Sequence, residues 1–599
     1  MCGIFGIALS RPLSTADVAV GRAGRDALAH RGPDGAGEWS LPERGLFFGH
    51  RRLAIIDLSD RAAQPMARGP LVLCYNGEIY NYRELSDELA ATGAIFRTES
   101  DSEVLLAAWE RWGPAALDRL DGMFAFALFD GEQLHVATDP FGEKPLYWAE
   151  APEGVYFASE PGPLIEALGL RFQPSREELE TFLALGFLPA PATGFPRLHQ
   201  LPAASHAELT PEGLRNLRRY WTPPPAVPQR GPLQPLGEGD LDAVHDGLLA
   251  SLRRRLRADV PLGLFLSAGV DSSLIAALVV KDLGVDLTAQ TVSFPDGADE
   301  ADTASRIAQH LGLRHRVIDS REARDWRRAP ESMVELFGVP NDNTSAMSVR
   351  QMSSLARGEI KVALSGLGGD ELFYGYNRYR FLWEHRTAYR LPGSLLDGLA
   401  PFRGVVRRLP QVGAALDTLA GPRAWRFLSI KNGSRGDIVR RLPRAVEGLA
   451  DRFPEDGRDL VFQARDFDVM ESLPAGYIPA VDRGSMRVGL EVRTPFLCRA
   501  LAELLAGFDA RALVGFGQKS VLRRLLARYL PNEFVERPKQ GFAFPAGRYL
   551  GTRPAQVPRS PGVDHALAAA VWARRSEPGY QALAMRLCLL EAMELAVPA

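Results

Sequence analysis

Cys2 stands at the head of the chain. Methionine before a small residue is normally removed, which would leave Cys2 with a free α-amine. Such an amine has an ordinary pKa of about 7.7–8.0 and can act as base for its own thiol. Polar segments follow: His30-Arg31-Gly32-Pro33-Asp34-Gly35, Gly49-His50-Arg51-Arg52, Tyr75-Asn76-Gly77-Glu78 and Ser100-Asp101. A carboxylate suits a substrate amine and an arginine suits a substrate carboxylate. An amide side chain beside a glycine N–H makes an oxyanion hole. Cys2, Arg52, Asn76, Gly77, Glu78 and Asp101 are therefore the parts needed to bind an amino-acid amide and attack it. Singly, each reads plainly: a buried structural thiol, a surface charge, a hairpin turn at Asn76-Gly77, a helix N-cap at Asp101.

A second set lies further on. Leu264-Phe265-Leu266-Ser267-Ala268-Gly269-Val270-Asp271-Ser272-Ser273 joins an expected strand to an expected helix. A short Gly/Ser loop there presents backbone N–H groups to phosphate. It is not a Walker loop, because no GKS or GKT follows at the required spacing. Asp271 cannot hold phosphate directly, since both are negative. A carboxylate beside a triphosphate is explained by Mg²⁺. Ser365-Gly366-Leu367-Gly368-Gly369-Asp370-Glu371 repeats the arrangement of strand, glycine loop and acids. Alone, Lys519 reads as an ordinary helix-surface lysine.

The elements that must position these groups differ between the halves. Strands are expected at the N-terminus through Leu9 and at 45–57, 70–76, 122–130, 134–138 and 155–159, with helices at 81–93 and 101–113. Strands with few helices suggest sheet packed on sheet. The Pro/Gly-rich stretch 221–239 reads as a linker. Beyond it, helix 240–256, strand 260–266, helix 272–283, strand 287–294, helix 299–311, strand 315–318 and strand 360–364 alternate. That pattern argues a parallel sheet covered by helices. From Asn377 the chain reads as mostly helical. Basic residues number 70 and acidic 73, a net charge of −3, which gives no electrostatic case for binding nucleic acid or a membrane surface. No apolar run approaches the ~18–20 residues that span a bilayer. Four cysteines cannot staple 599 residues, and a reducing cytoplasmic compartment is expected.

The N-terminal segments MCGIFG, HRGPDG, GHRRLAIIDL, YNGEIYNY, ESDSE and DPFGEKPLYW together resemble the class II glutamine amidotransferases, over about residues 2–205. The resemblance implies an N-terminal-nucleophile αββα sandwich. It implies that Cys2 forms a thioester with glutamine and releases ammonia, with Arg52, Asn76, Gly77, Glu78 and Asp101 binding glutamine. The later half, about 240–550, resembles the synthetase domain of glutamine-dependent asparagine synthetases, an α/β ATP-pyrophosphatase fold with a mostly helical C-terminal part. That implies ATP at Leu266, Ser267, Gly269, Asp271, Ser272, Phe294, Ser365 and Gly366. It implies Mg²⁺ on Asp271 and Asp370, with Lys519 stabilising charge on the transferring phosphates. The expected division is a glutaminase domain at 2–213, a linker at 214–239, a synthetase domain at 240–550 and an extension at 551–599.

Ala268 replaces the first glycine of the pyrophosphate loop, a mild departure. Leu367 is a larger one. Asparagine synthetases carry an acidic residue there and related ring-closing synthetases a tyrosine. The segment 338–344 also differs from the usual aspartate site. The acids that could stand in for the missing one are Glu371 and Asp342. The expected activity is ATP-dependent amidation, through an acyl-AMP, of a specialised carboxylate with ammonia from glutamine. Aspartate as acceptor, an intramolecular lactam synthesis and a non-catalytic sensor are the alternatives. Glutamine and a carboxylate acceptor are the expected partners, and a homodimer is left open.

Overall fold

The computed structural model describes residues 2–293, 300–319, 328–390, 419, 421–432, 436–537, 546–551, 553, 556–558 and 562–596. Strand Gly3–Leu9 is buried along its whole length. It pairs antiparallel with Leu46–Arg52 on one side and Gly154–Ala158 on the other. These three form the middle of a six-stranded sheet completed by Gly35–Leu41, Tyr147–Ala151 and Leu198–Gln200. A second six-stranded sheet runs in the order Gly213–Arg219, Ser205–Thr210, Leu134–Thr138, Gly122–Phe129, Leu71–Ile79, Met66–Arg68.

The sheets face each other through Ile4, Phe48, Cys74, Ala125 and Phe157. Helices Tyr82–Ala91 and Asp101–Trp112 cover the outer face of the second sheet, over Leu73, Phe124 and Phe126. Helix Thr15–Asp26 covers the first. A Cβ at its Gly24 would stand 2.4 Å from the Phe5 ring, so glycine lets the helix lie directly on that sheet. The layering is helix, sheet, sheet, helix, as expected.

The expected strand at 45–57 ends at Arg52, and Asn76-Gly77 lies inside Leu71–Ile79 rather than at a turn. The second sheet continues to Arg219, into the segment read as linker.

After helix Glu238–Arg255, a five-stranded parallel sheet runs in the order Arg314–Asp319, Thr288–Ser293, Leu262–Phe265, Val362–Leu364, Glu491–Arg493. Its first three strands build outward in one direction and its last two in the other. The order therefore reverses between Leu262–Phe265 and Val362–Leu364. Ligands of open α/β sheets sit in the crevice at such a point. Outside this sheet the second half is mainly helical. Its final helix, Pro578–Ala596, buries Leu583, Leu587 and Leu590 in the core of the second half, so the C-terminal stretch is part of the fold.

Candidate functional site

Cys2 is buried at the start of the first strand, and burial pushes its thiol up from the ordinary value. Its main-chain nitrogen donates to Asn76 Oδ1 at 2.8 Å. With one side of the amide so used, Asn76 Nδ2 is a buried donor with no partner. An unpaired buried donor costs stability. A Cβ on Gly77 would stand 2.1 Å from the Met123 carbonyl oxygen, so only glycine fits against the neighbouring strand. Cys2, Arg52, Gly77, Glu78 and Asp101 line one pocket.

The Arg52 guanidinium is held at the rim by the carbonyl oxygens of Ser59, at 2.8 Å, and Asp57. Asp101 is not the N-cap: Ser100 takes that role, accepting from the Ser102 N–H at 3.1 Å. Asp101 Oδ2 instead accepts from the Tyr75 hydroxyl at 2.8 Å and the Ile79 N–H at 2.9 Å. Burial raises the pKa of both Asp101 and Glu78, and for Glu78 the nearby Glu491 adds to it.

The second cluster forms at the reversal point of the parallel sheet. Lys519 Nζ lies 2.5 Å from Asp271 Oδ2 and 2.7 Å from Asp370 Oδ1. Burial alone would lower the lysine's pKa, but the two carboxylates outweigh it and raise it. The two glycine loops pack tightly here. Added Cβ atoms on Gly366 and Gly369 would each stand 2.8 Å from Asp271, and one on Gly375 would stand 2.0 Å from Asp370 Oδ1.

In the first loop the Ser267 N–H donates to Ser272 Oγ at 3.1 Å and the Gly269 N–H to Ser267 Oγ at 3.1 Å. Leu266 is anchored on the next strand: its N–H donates to the Gln290 oxygen at 3.0 Å and its oxygen accepts from Thr291 Oγ1 at 2.6 Å. Ala268 is not among the residues with positive φ, which explains how alanine replaces glycine there. Phe294 and residues 538–545 lie outside the described residues.

Two family descriptions cover most of the chain: a glutamine amidotransferase domain over residues 1–221 and asparagine synthase over 243–556. Asparagine synthetase [glutamine-hydrolyzing] 1 of Bacillus subtilis (strain 168) is 30% identical over 568 residues, 92% of this chain and 88% of that protein. Asparagine synthetase [glutamine-hydrolyzing] 2 of the same organism is 30% identical over 91% of this chain and 72% of its own length. The chain belongs to the asparagine synthase family. It is a glutamine-hydrolysing, ATP-using amidotransferase of the asparagine synthetase type.

Several family segments serve the junction between the halves. In DPFGEKPLYW, the buried Asp139 carboxylate accepts from the N–H groups of Phe124, Phe141, Glu143 and Lys144 at 2.9–3.1 Å. This fixes a turn whose Glu143 meets Thr494 and whose Lys144 Nζ lies 3.4 Å from Asp482. Burial, then the charge of Asp139, lifts Glu143 to about 8. Arg31 bonds the Cys2 oxygen through Nε at 3.1 Å and pairs with Asp482 on its other edge. Nothing local in the sequence assigns these segments to a junction. Their signal is the pairing of charged residues with turn formers in runs otherwise apolar.

Leu367 is half-buried and packs against the main core of the second half. Of the two acids that could substitute for the family's acid, Asp342 is paired and Glu371 keeps one oxygen, Oε2, without a hydrogen-bond partner among the described residues. Asp342 Oδ2 accepts from Arg586 Nε at 2.7 Å. Glu371 is fully buried, with Oε1 on the Tyr376 hydroxyl at 2.5 Å. Burial, then the neighbouring Asp370, raises it to about 7. Arg586 belongs to the last helix, beyond the matched family span, and also donates to the Leu183 oxygen at 2.6 Å and Asn432 Oδ1 at 3.0 Å. Sequence reasoning does not find it, since an arginine in an Ala/Leu-rich helix carries no local mark of burial.

Proposed function

We propose that the chain amidates a carboxylate other than aspartate, through an acyl-AMP. The observation that carries this is Leu367, an apolar side chain where the family's acid would stand. Asp342 is paired with Arg586, and Glu371 is buried with one oxygen on the Tyr376 hydroxyl. A positioned acid–base group contributes typically 10²–10⁴-fold. An enzyme without it handles small, charged aspartate poorly and favours a larger acceptor whose own shape gives the positioning.

The proposed sequence begins with Cys2 attacking the glutamine amide, its proton passing to its own α-amine. Asn76 Nδ2 and the Gly77 N–H stabilise the tetrahedral oxyanion. Arg52 holds the glutamine carboxylate, while Glu78 and Asp101 hold its ammonium. The thioester hydrolyses to glutamate, and ammonia crosses the junction shielded from water. In the second site the acceptor carboxylate attacks the ATP α-phosphorus, releasing pyrophosphate. Ammonia then displaces AMP from the acyl-adenylate.

Leu266, Ser267, Gly269, Ser272, Phe294, Ser365 and Gly366 are assigned to ATP and Lys519 to the developing phosphate charge. Asp271 and Asp370 share one lysine nitrogen, so they are close enough to share a cation. Magnesium typically takes one or two carboxylates with the rest of its shell from phosphate and water. When bound, Mg²⁺ would neutralise the phosphate oxygens. We assign the glutaminase to 2–213, extended by strand Gly213–Arg219, and the synthetase to about 240–550.

The test is asparagine formation from aspartate, glutamine and Mg-ATP, run beside pyrophosphate release across a panel of larger carboxylic acids. The proposal expects an aspartate kcat/KM far below ~10⁴ M⁻¹s⁻¹, the lower end of ordinary enzymes. A value at or above it would make this an aspartate enzyme. Lactam synthesis needs no glutaminase, and the buried, paired Cys2–Asn76 arrangement weighs against it.

A further inference from the structure

Arg493 has no exposed surface. Its Nε donates to Glu491 at 2.7 Å, and its Nη1 donates to the oxygens of Arg255 at 2.7 Å and Arg257 at 2.6 Å. Its Nη2 faces the glutaminase half, 3.6 Å from Glu78 Oε2. Neither of those two atoms has a hydrogen-bond partner. The main chain of the same residue reaches the other site. Arg493 O accepts from the Ser365 N–H at 2.9 Å, where the strand pairing Leu364↔Arg493 runs out into the second glycine loop. One residue thus touches a carboxylate of the Cys2 pocket with its side chain and holds the Ser365 loop with its carbonyl.

We propose that Arg493 is a positioning residue that makes glutamine binding and ATP binding depend on each other. This rests on reading the Cys2 pocket as the glutamine site and the Ser365 loop as part of the ATP site. Glu78 is buried, so its charge must be shared between the cations it can reach. Among the described residues, Arg493 faces Oε2 as a cation when glutamine is absent. A bound substrate ammonium takes part of that charge and changes the hold on the Arg493 side chain. That side chain is tied at three other points, so the change is passed to its backbone and to Ser365. Mg-ATP settles the Ser365 loop and with it Arg493, which presets Glu78 for the ammonium. Binding free energies couple reciprocally, so each ligand tightens the other by the same factor. Lysine cannot take over. One ammonium with three donors cannot serve Glu491, two carbonyls and Glu78 from a single point.

The experiment measures KM and kcat for glutamine hydrolysis with and without Mg-ATP, in the absence of acceptor, for the wild type and Arg493→Lys. The wild-type KM is expected to fall about fivefold with Mg-ATP, the low end of measured couplings, while kcat holds. In Arg493→Lys the ratio of the two KM values should be close to one. A purely structural defect would change both arms alike and leave the ratio where it was.

A second arm keeps Arg493 intact. In Cys2→Ala enzyme, which cannot turn glutamine over, the Kd of Mg-ATP by calorimetry should fall by the same factor when glutamine is added. A wild-type ratio of one, an unchanged ratio in Arg493→Lys or an ATP affinity indifferent to glutamine would overturn the coupling. Absence of glutamine hydrolysis or of ATP binding in the wild type would instead remove the site reading beneath it.

Discussion

Arg31 and Asp482 form a bidentate pair across the junction, with Nη1–Oδ2 at 2.9 Å and Nη2–Oδ1 at 3.1 Å. Both are fully buried or nearly so, and Arg31 Nε bonds the carbonyl of Cys2. Burial alone would raise Asp482, but Arg31 and Lys144 outweigh it and hold the carboxyl at about 2. Removing one partner of a buried pair costs roughly 3–5 kcal/mol when the other charge is left unpaired. Arg31 Nη1 also pairs with Glu160 at 2.7 Å, so Asp482→Asn is predicted to lower the unfolding free energy by less than that, about 1–3 kcal/mol. Glutaminase kcat should fall with it, since Arg31 no longer holds Cys2 in place. Denaturant titration and glutamate release measure the two. Stability within about 0.5 kcal/mol of wild type would show that the pair holds nothing.

Cys2→Ala is predicted to abolish glutamine hydrolysis while synthesis from free ammonia continues at the second site. The two clusters are built on different sheets. Glutamate release and ammonia-dependent AMP formation are the paired assays. Hydrolysis near the wild-type rate would refute the nucleophile assignment.

Asp271→Asn removes one of the two carboxylates beside Lys519. Uncovering phosphate charge is worth several kcal/mol, so adenylation is predicted to drop by about two to three orders of magnitude. Glutaminase activity in the absence of ATP should be unaffected. ATP–pyrophosphate exchange is the direct measure, and an unchanged rate would take this loop out of the ATP site.

His50 supplies a pH test. It is fully buried, with Nε2 3.1 Å from the Tyr75 carbonyl oxygen. Burial lowers its pKa from 6.5 to about 3. The folded state therefore binds fewer protons than the unfolded chain between those two values. The stability tied to neutral His50 is complete above pH 6.5 and is lost progressively as pH falls toward 3. At pH 5 the loss amounts to about 2 kcal/mol. His50→Gln keeps a donor for Tyr75 and should flatten the stability curve between pH 7.5 and 5 by about that much. Parallel curves for the two proteins would mean His50 protonates freely.

Much of the N-terminal half is legible in local pattern. Strands 122–129 and 134–138 and helices 82–91 and 101–112 follow local apolar periodicity. Local pattern fails at Gly35–Leu41, whose exposed alternate positions and glycines mark it as a strand only once Leu46–Arg52 lies beside it. It fails likewise for the hairpin of Ser205–Thr210 and Gly213–Arg219, hidden among charges.

The candidate residues were named from the sequence alone. Cys2, Asn76, Asp271 and Asp370 stand out by functional-group type and short spacing, which survives any fold, whereas Lys519 was named only through the family resemblance. What tertiary structure decided is which of them meet. Lys519 reaches Asp271 from 248 positions away, and Asp482 reaches Arg31 from 451 away. Such pairs leave no periodicity in the chain. They exist because the parallel sheet reverses its order where its loops converge, and because burial makes an unpaired charge too costly to leave at the junction. The same cost settles Arg586 on Asp342 and Arg493 against Glu78, two contacts that no local pattern in the sequence announces.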